Sequence, residues 1–375
     1  MHNNVAMTIN PFCYTVLPLD APFCGRDEEL ATLCTHARSN TNVVLYSPRR
    51  YGKTSLIKRV QEVLSREKFI TLSIDISGAA SAEDVASLIA RDIFRFVEQK
   101  GPLLKKALSI INNWRPNFTP QPDGSVSVSV QPVSQKTGLA FLEETLEGLD
   151  RFLAGNPQQT NIVLDEFQEI AELRNGEQIE ALLRKHIQHQ SNCSWFFLGS
   201  RRRMLLDMFE EESRPFYRSA VKKQLPPLPE EEAVRFVIER FKAGGKNCPR
   251  EIAGQIINIT QSYPFYVQRV SGEIFNRARK EEIGEQELQE GIRSMLEQEE
   301  RYYASIERAL PAGQKKLLRA LAKEPAESPY AVDYQRKHRL GSLSAIKGNA
   351  RLRGQYTRNR RTQIILSGCI NHNDS

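Results

Sequence analysis

The residues best suited to chemistry in this chain of 375 are Gly52, Lys53 and Thr54, in the stretch "LYSPRRYGKTSLIKRV" from Leu45 to Val60. A phosphate-binding loop reads Gly, four residues, Gly-Lys-Ser/Thr, and here Ser47 stands where the leading glycine belongs. In such a loop, backbone N–H groups at a helix start point at phosphate oxygens, and a lysine and a hydroxyl complete the cradle. Gly52 lets the backbone approach, Lys53 reaches the β- and γ-phosphates, and Thr54 ligates Mg²⁺. Serine is small enough for the leading position. Pro48 offers no N–H, but it falls in the outer part of the loop, which touches phosphate least. The bland alternative is a strand-to-helix turn carrying Gly-Lys-Thr by chance.

About 110 residues after Lys53, "NIVLDEFQEI" ends an apolar run on Asp165 and Glu166. Two adjacent carboxylates at the carboxyl end of a buried strand make poor core and good neighbours for a divalent cation. Asp165 is expected to hold Mg²⁺, commonly through water, and Glu166 to polarise the attacking water as general base. Ser200 closes the next apolar run, "SWFFLGS", where it can touch the γ-phosphate or that water as a sensor; a plain polar strand end is the other reading. Arginines follow at 201, 202, 203, 214 and 218. One of Arg201, Arg214 and Arg218 could stabilise charge as a finger, in cis or from a neighbouring protomer, although arginines on a solvated helix face are common.

These groups need a particular scaffold. "NVVLYS" reads as a buried strand, "KTSLIKRVQEVLSRE" as a helix, "FITLSIDIS" as a second strand, and "SAEDVASLIARDIFRFVEQ" as a helix capped by Ser81 with Asp84 at its third position. "GLAFLEETLEGLDRFLA", "NIVLDEF", "EQIEALLRKHIQHQ" and "SWFFLGS" continue the alternation, which implies a parallel sheet. Between them "RPNFTPQPDGSVSVSVQP" has a Pro-Asp-Gly turn signal and alternating valines (126, 128, 130), a surface hairpin inserted at about 114–134. From Pro229 to about Leu310 the pattern is all helical. Three short helices follow from "AGQKKLLRALAKEP" through "SLSAIKG", the start of a helix-turn-helix module.

The length calls for two or three domains. No apolar run approaches the roughly 20 residues that cross a bilayer, no secretory segment opens the chain, and the six cysteines show no CxxC pair; the expectation is a cytoplasmic protein with reduced thiols and no membrane. The net charge of +7 lies in the tail. Residues 333–375 carry nine Lys/Arg against two Asp/Glu, leaving 43 of each sign elsewhere.

In order and spacing, "FCGRDEEL", "YSPRRYGKTSL", "NIVLDEFQEI", "FFLGS" and "ITQSYPFYVQRVSGEIF" resemble the archaeal and bacterial STAND-class ATPases, AAA+-like proteins related to origin-recognition ATPases, over about residues 10–347. The resemblance implies an α/β fold: a P-loop NTPase parallel-sheet domain at 23–226 after an irregular segment at 1–22, an all-helical lid at 227–310, and a partial winged-helix region at 311–347. It makes Lys53 and Thr54 the phosphate and Mg²⁺ residues, Asp165 and Glu166 the Walker B pair, and Ser200 the sensor. Arg49 and Arg50 look like the family's loop pair, and Gly25-Arg26 like the segment flanking the adenine pocket. The nucleotide site then comprises Ser47, Pro48, Arg49, Arg50 and Tyr51 in the loop, Gly52, Lys53, Thr54 and Ser55 at the helix start, and Pro264 from the lid. The lid's usual Gly-x-Pro is here Ser262-Tyr263-Pro264, which puts the glycine's role in doubt.

The basic, aperiodic tail at 348–375 departs from the family. It is either an arm that neutralises DNA or RNA phosphates or a truncated winged helix read out of frame. The expected function is an ATP/ADP-binding switch with slow Mg²⁺-dependent ATP hydrolysis. The alternatives are an origin-recognition-type DNA-binding module whose ATP site controls loading, and a small-molecule kinase, for which no acceptor motif is present. A homo-oligomer or a protein partner is compatible with either of the first two.

Overall fold

Stretches of four to seven residues rich in apolar side chains, too short for helices, become strands buried on both faces. β1 (Val43–Tyr46), β5 (Thr160–Asp165) and β6 (Cys193–Gly199) are of this kind, and all seven residues of β6 are buried. The computed structural model describes residues 9–100, 114–121, 126–133, 136–324, 326 and 331–340. It divides into two units: residues 18–20 and 26–226 form one, and residues 1–17, 21–25 and 227–375 the other.

The first unit holds a five-stranded sheet in the order β2 (Ile70–Asp75), β5, β6, β1, β7 (Val221–Gln224), with every pair parallel. Its helices are α1 (Asp27–Arg38), α2 (Lys53–Arg66), α3 (Ala82–Lys100), α4 (Gly138–Ala154), α5 (Gly176–Ile187) and α6 (Arg202–Glu210). The cap expected at α3 is present: Ser81 Oγ accepts from the Asp84 amide at 3.1 Å, and Asp84 Oδ2 accepts from the Ala80 amide at 2.9 Å. Neither α6 nor β7 was expected. β7 reads "VKKQ" and three of its four residues are exposed, so only its backbone pairing with β1 makes it a strand.

The hairpin is real but less superficial than its sequence suggests. β3 (Trp114–Pro120) pairs antiparallel with β4 (Val126–Pro132), and Phe118 faces Val128. Trp114 is buried, its Nε1 donates to Thr145 Oγ1 of α4 at 3.0 Å, and its ring lies 4.7 Å from Phe141. The Pro-Asp-Gly turn lies outside the described residues.

The second unit is built of α7 (Glu230–Ala243), α8 (Arg250–Thr260), α9 (Pro264–Arg277) and α10 (Glu285–Ala309), followed by α11 (Ala312–Lys323) and α12 (Val332–Lys337). α9 and α10 pack closely because Gly291 has no side chain; a Cβ there would meet Ile274 Cγ1 at 2.4 Å. The segment read as irregular is part of this core. Phe12 is buried 4.9 Å from the Phe241 ring, and Asn10 Nδ2 donates to Gly272 O at 3.0 Å. Residues 21–25 also belong here, while residues 18–20 group with the sheet unit. The third short helix expected before Lys347 and the tail at 348–375 lie outside the described residues. Among the described residues no helix is long and apolar enough to cross a membrane.

Beneath the carboxyl ends of the strands, Phe197 of β6 packs against Phe167, Phe209 and Phe216 with centroids at 4.7, 5.1 and 5.2 Å. Phe197→Ala is expected to cost about 3–5 kcal/mol, read as a lower midpoint in chemical unfolding.

Candidate functional site

The strand order sets the site. β6 lies between β1 and β5, with Tyr46 opposite Gly199 and Leu164 opposite Phe197. All run in one direction, so the loop after β1, the carboxylates ending β5 and Ser200 after β6 emerge along one edge, where open parallel sheets bind ligands.

The loop is anchored by burial at Ser47 and Tyr51, while Arg49 and Arg50 are exposed. Arg50 and Gly52 both take left-handed backbone, with φ of 64° and 87°. At Gly52 no atom stands within 4 Å of where a Cβ would be, so the loop there is an open cradle at the amino end of α2. Lys53 is buried, and its Nζ donates to the carbonyl oxygens of Ser47 at 3.0 Å and Pro48 at 3.4 Å. The proline that lacks an N–H thus serves through its oxygen. Burial pulls the Lys53 ammonium below the ordinary lysine range, against the opposing pull of Glu166 and Asp165.

Thr54 Oγ1 donates to Asp165 Oδ2 at 3.1 Å, joining the first turn of α2 to the end of β5. Asp165 Oδ1 accepts from the Glu166 amide at 2.9 Å. Burial, then the Glu166 charge, push the Asp165 carboxyl above the usual range. Glu166 sits in left-handed backbone (φ 52°), and a 3₁₀ helix at Phe167–Glu172 follows in place of a simple turn. Its Oε2 accepts from Ser200 Oγ at 2.8 Å, from the Ser200 amide at 3.3 Å and from Gln168 Nε2 at 2.5 Å. Arg49 Nε reaches Ser200 Oγ at 3.3 Å, tying the loop to the end of β6.

Lys53, Thr54, Asp165, Glu166, Ser200 and Arg49 therefore meet in one place. Pro264 belongs to the helical unit, where it is the first residue of α9. Arg26 is buried, bonded to Glu29 and, at 2.7 Å, to the Pro226 carbonyl. Gln168 was missed in the sequence. The available signal was slight: Gln168 follows Phe167 and lies two places before Ile170, both buried in the structure, with the half-buried Glu169 between.

The arginines separate. Arg201 pairs with Glu169 at 3.2 Å and Glu172 at 2.5 Å, and Arg214 pairs with Glu180 and, at 3.6 Å, Glu177. Arg202 lies over the Tyr46 ring, and Arg218 is exposed with its guanidinium over Tyr217. A finger role for Arg201 or Arg214 requires breaking these pairs.

The residues fit a nucleotide with Mg²⁺. The cradle at Gly52 suits phosphate, and Thr54 and Asp165 bring a hydroxyl and a carboxylate to one point. Among the described residues no cluster of three or more His, Cys, Asp or Glu could hold a metal by itself, so a cation here would take its remaining oxygens from the ligand and water.

A lysine-bearing loop at a helix start, with the carboxylate strand two places away in a parallel sheet, defines a P-loop NTPase fold of the Walker type. No family model matches the sequence, and no curated protein matches it. Solved structures do. A Walker-type ATPase of Pyrococcus abyssi superposes with a TM-score of 0.63 at 14% identity, over 96% of this chain and 99% of that one. The Aeropyrum pernix ORC2 protein in its ADP form gives 0.55 at 16% identity, over 93% and 87%, and its ADPNP–ADP complexes give 0.51 at 16%, over 94% and 88%. At these identities the likeness establishes the fold: that of archaeal P-loop ATPases related to origin-recognition proteins.

Glu180, fully buried against Arg214, is pushed up to about 7 by burial. Because its carboxyl titrates higher in the folded chain, the unfolded chain releases that proton first. Stability from this group is thus present below about pH 4.5 and is lost as pH rises toward about 7. Thermal midpoints measured across that window should show this downward contribution, and Glu180→Gln should remove it.

Proposed function

We propose that this chain is an ATP-binding protein of the STAND class that hydrolyses ATP slowly with Mg²⁺ and uses the nucleotide to set the state of its helical unit. The observation that carries this reading is the 3.1 Å hydrogen bond between Thr54 and Asp165, with Lys53, Glu166 and Ser200 beside it. In this reading Lys53 and the loop amides bind the β- and γ-phosphates, and Thr54 and Asp165 hold Mg²⁺. The cation, when bound, offsets charge on the phosphate oxygens. Glu166 accepts a proton from the attacking water, and Ser200 orients Glu166 through its hydroxyl and amide. The switch follows from differential binding: only a ligand whose γ-phosphate changes the free energy of the two states can shift them.

A second reading rests on the nine basic residues between 333 and 375. In it the ATP site controls loading on nucleic acid. DNA affinity should then fall steeply with salt and lose that slope on deletion of residues 348–375; an unchanged slope removes this reading.

Lys53→Ala is expected to weaken ATP binding by about a hundredfold or more, measured by titration with a fluorescent ATP analogue. Glu166→Gln should bind ATP normally and lose turnover by about 10²–10⁴-fold. Turnover unchanged in Glu166→Gln removes Glu166 as base, and unchanged binding in Lys53→Ala removes the site.

A further inference from the structure

We infer that Gln168 is a positioning residue for Glu166: it fixes the carboxylate through one oxygen, Oε2, and so determines that Oε1 is the oxygen presented to water. The inference rests on the reading of Glu166 as general base.

Three donors converge on Glu166 Oε2, namely Gln168 Nε2 at 2.5 Å, Ser200 Oγ at 2.8 Å and the Ser200 amide at 3.3 Å. Among the described residues none donates to Oε1. A carboxylate held by several donors at one oxygen keeps one orientation, and its free oxygen points in a defined direction.

The orientation of the Gln168 amide is chemically determined. Its Nε2 lies between Glu166 and Glu169, with Glu169 Oε1 at 3.5 Å, so the NH₂ end faces two carboxylates. Turning the amide over would set its carbonyl oxygen against both. Glu169 is itself engaged by Arg201 at 3.2 Å, which leaves Glu166 the closer partner of the amide. On the other side, Arg49 Nε donates to Ser200 Oγ, so the single hydrogen of that hydroxyl is directed to Glu166. Groups from the phosphate loop, the end of β6 and the 3₁₀ helix thus hold one carboxylate.

Packing alone does not explain a glutamine here. Gln168 is fully buried, and among the described residues its Oε1 has no hydrogen-bond partner. An apolar side chain of the same length would fill the space without leaving a polar atom unpaired, so the residue type answers to what Nε2 does. Space has been cleared for it: at Gly199 an added Cβ would lie 2.1 Å from Gln168 Oε1.

The test uses the full chain and compares wild type, Gln168→Met, Gln168→Glu, Glu166→Gln and the double variant Gln168→Met/Glu166→Gln. ATP turnover, affinity for a fluorescent ATP analogue and thermal midpoint are measured for each. Gln168→Met keeps the length and removes the donor; it should lower kcat by about 10- to 100-fold with KM and ATP affinity within about twofold. Gln168→Glu keeps the shape and replaces the donor with an acceptor, and it should lose at least as much. In the Glu166→Gln background, Gln168→Met should add no further loss, because its effect passes through Glu166.

Normal turnover in folded Gln168→Met and Gln168→Glu, beside lost turnover in Glu166→Gln, overturns this inference alone. So does a loss that multiplies in the double variant, or a loss confined to ATP affinity. If Gln168→Met does not fold, Gln168→Glu carries the comparison; if neither folds, Gln168 is structural and the inference falls. Absence of turnover in the wild type overturns the proposed hydrolysis and this inference together.

Discussion

The hydrogen-bond register of β6 between β1 and β5 is the constraint on which the site depends. It brings the end of β1 level with Gly199 and holds β5 in step, so that the loop shares one edge with a pair of carboxylates that begins 111 residues after Thr54 and with a serine 34 residues after Glu166. Slipping by one residue would turn every β6 side chain to the opposite face. Trp195 and Phe197 belong to the core on one side of the sheet, and Phe197 is locked among three other phenylalanines. The aromatic packing under the sheet is therefore what fixes the position of Ser200 above it. The short 3₁₀ helix takes part in both, since Phe167 joins the cluster while Gln168, its neighbour, bonds to Glu166.

The edge holds charge under tension. Lys53 is buried and its ammonium is satisfied by carbonyl oxygens of its own loop, while Asp165 is half-withdrawn from water beside a second carboxylate. Each group is shifted toward its neutral form. An anion beside Lys53 and a cation beside Asp165 would each reverse that shift, so the two imbalances have the signs that a phosphate and a divalent ion correct. Left-handed backbone at Arg50 and Glu166 adds local cost where the side chains must be aimed.

Much of this was legible in the residues. β1, β5 and β6 each centre on a short apolar run, and α2 and α3 carry helical spacing, with the Ser81 cap formed as its sequence implies. The motif residues of the sheet unit declare themselves by type and spacing because phosphate chemistry uses few side chains. β7 did not, because "VKKQ" has no apolar face and its pairing is purely main-chain. Gln168 did not either. A single amide between Phe167 and Glu169 has no periodicity, and its role appears only when the fold brings it to Glu166. The commitments of Arg201 and Arg214 to buried or half-buried carboxylates were equally invisible, since their partners lie on other elements.

Asn10 and Phe12 were also unreadable from local sequence, and their placement bears on how the chain is made. Asn10 bonds to Gly272, 262 residues later, and Phe12 packs on Phe241. On the ribosome Asn10 emerges 262 residues ahead of its partner Gly272, whereas every strand of the sheet unit is complete by Gln224. Synthesis proceeds at about 5–20 residues per second, so Asn10 waits on the order of ten seconds or more for Gly272. Seating this segment on the helical core therefore closes loops of 262 and 266 residues, to Gly272 and Asn276, and cannot precede synthesis of α9.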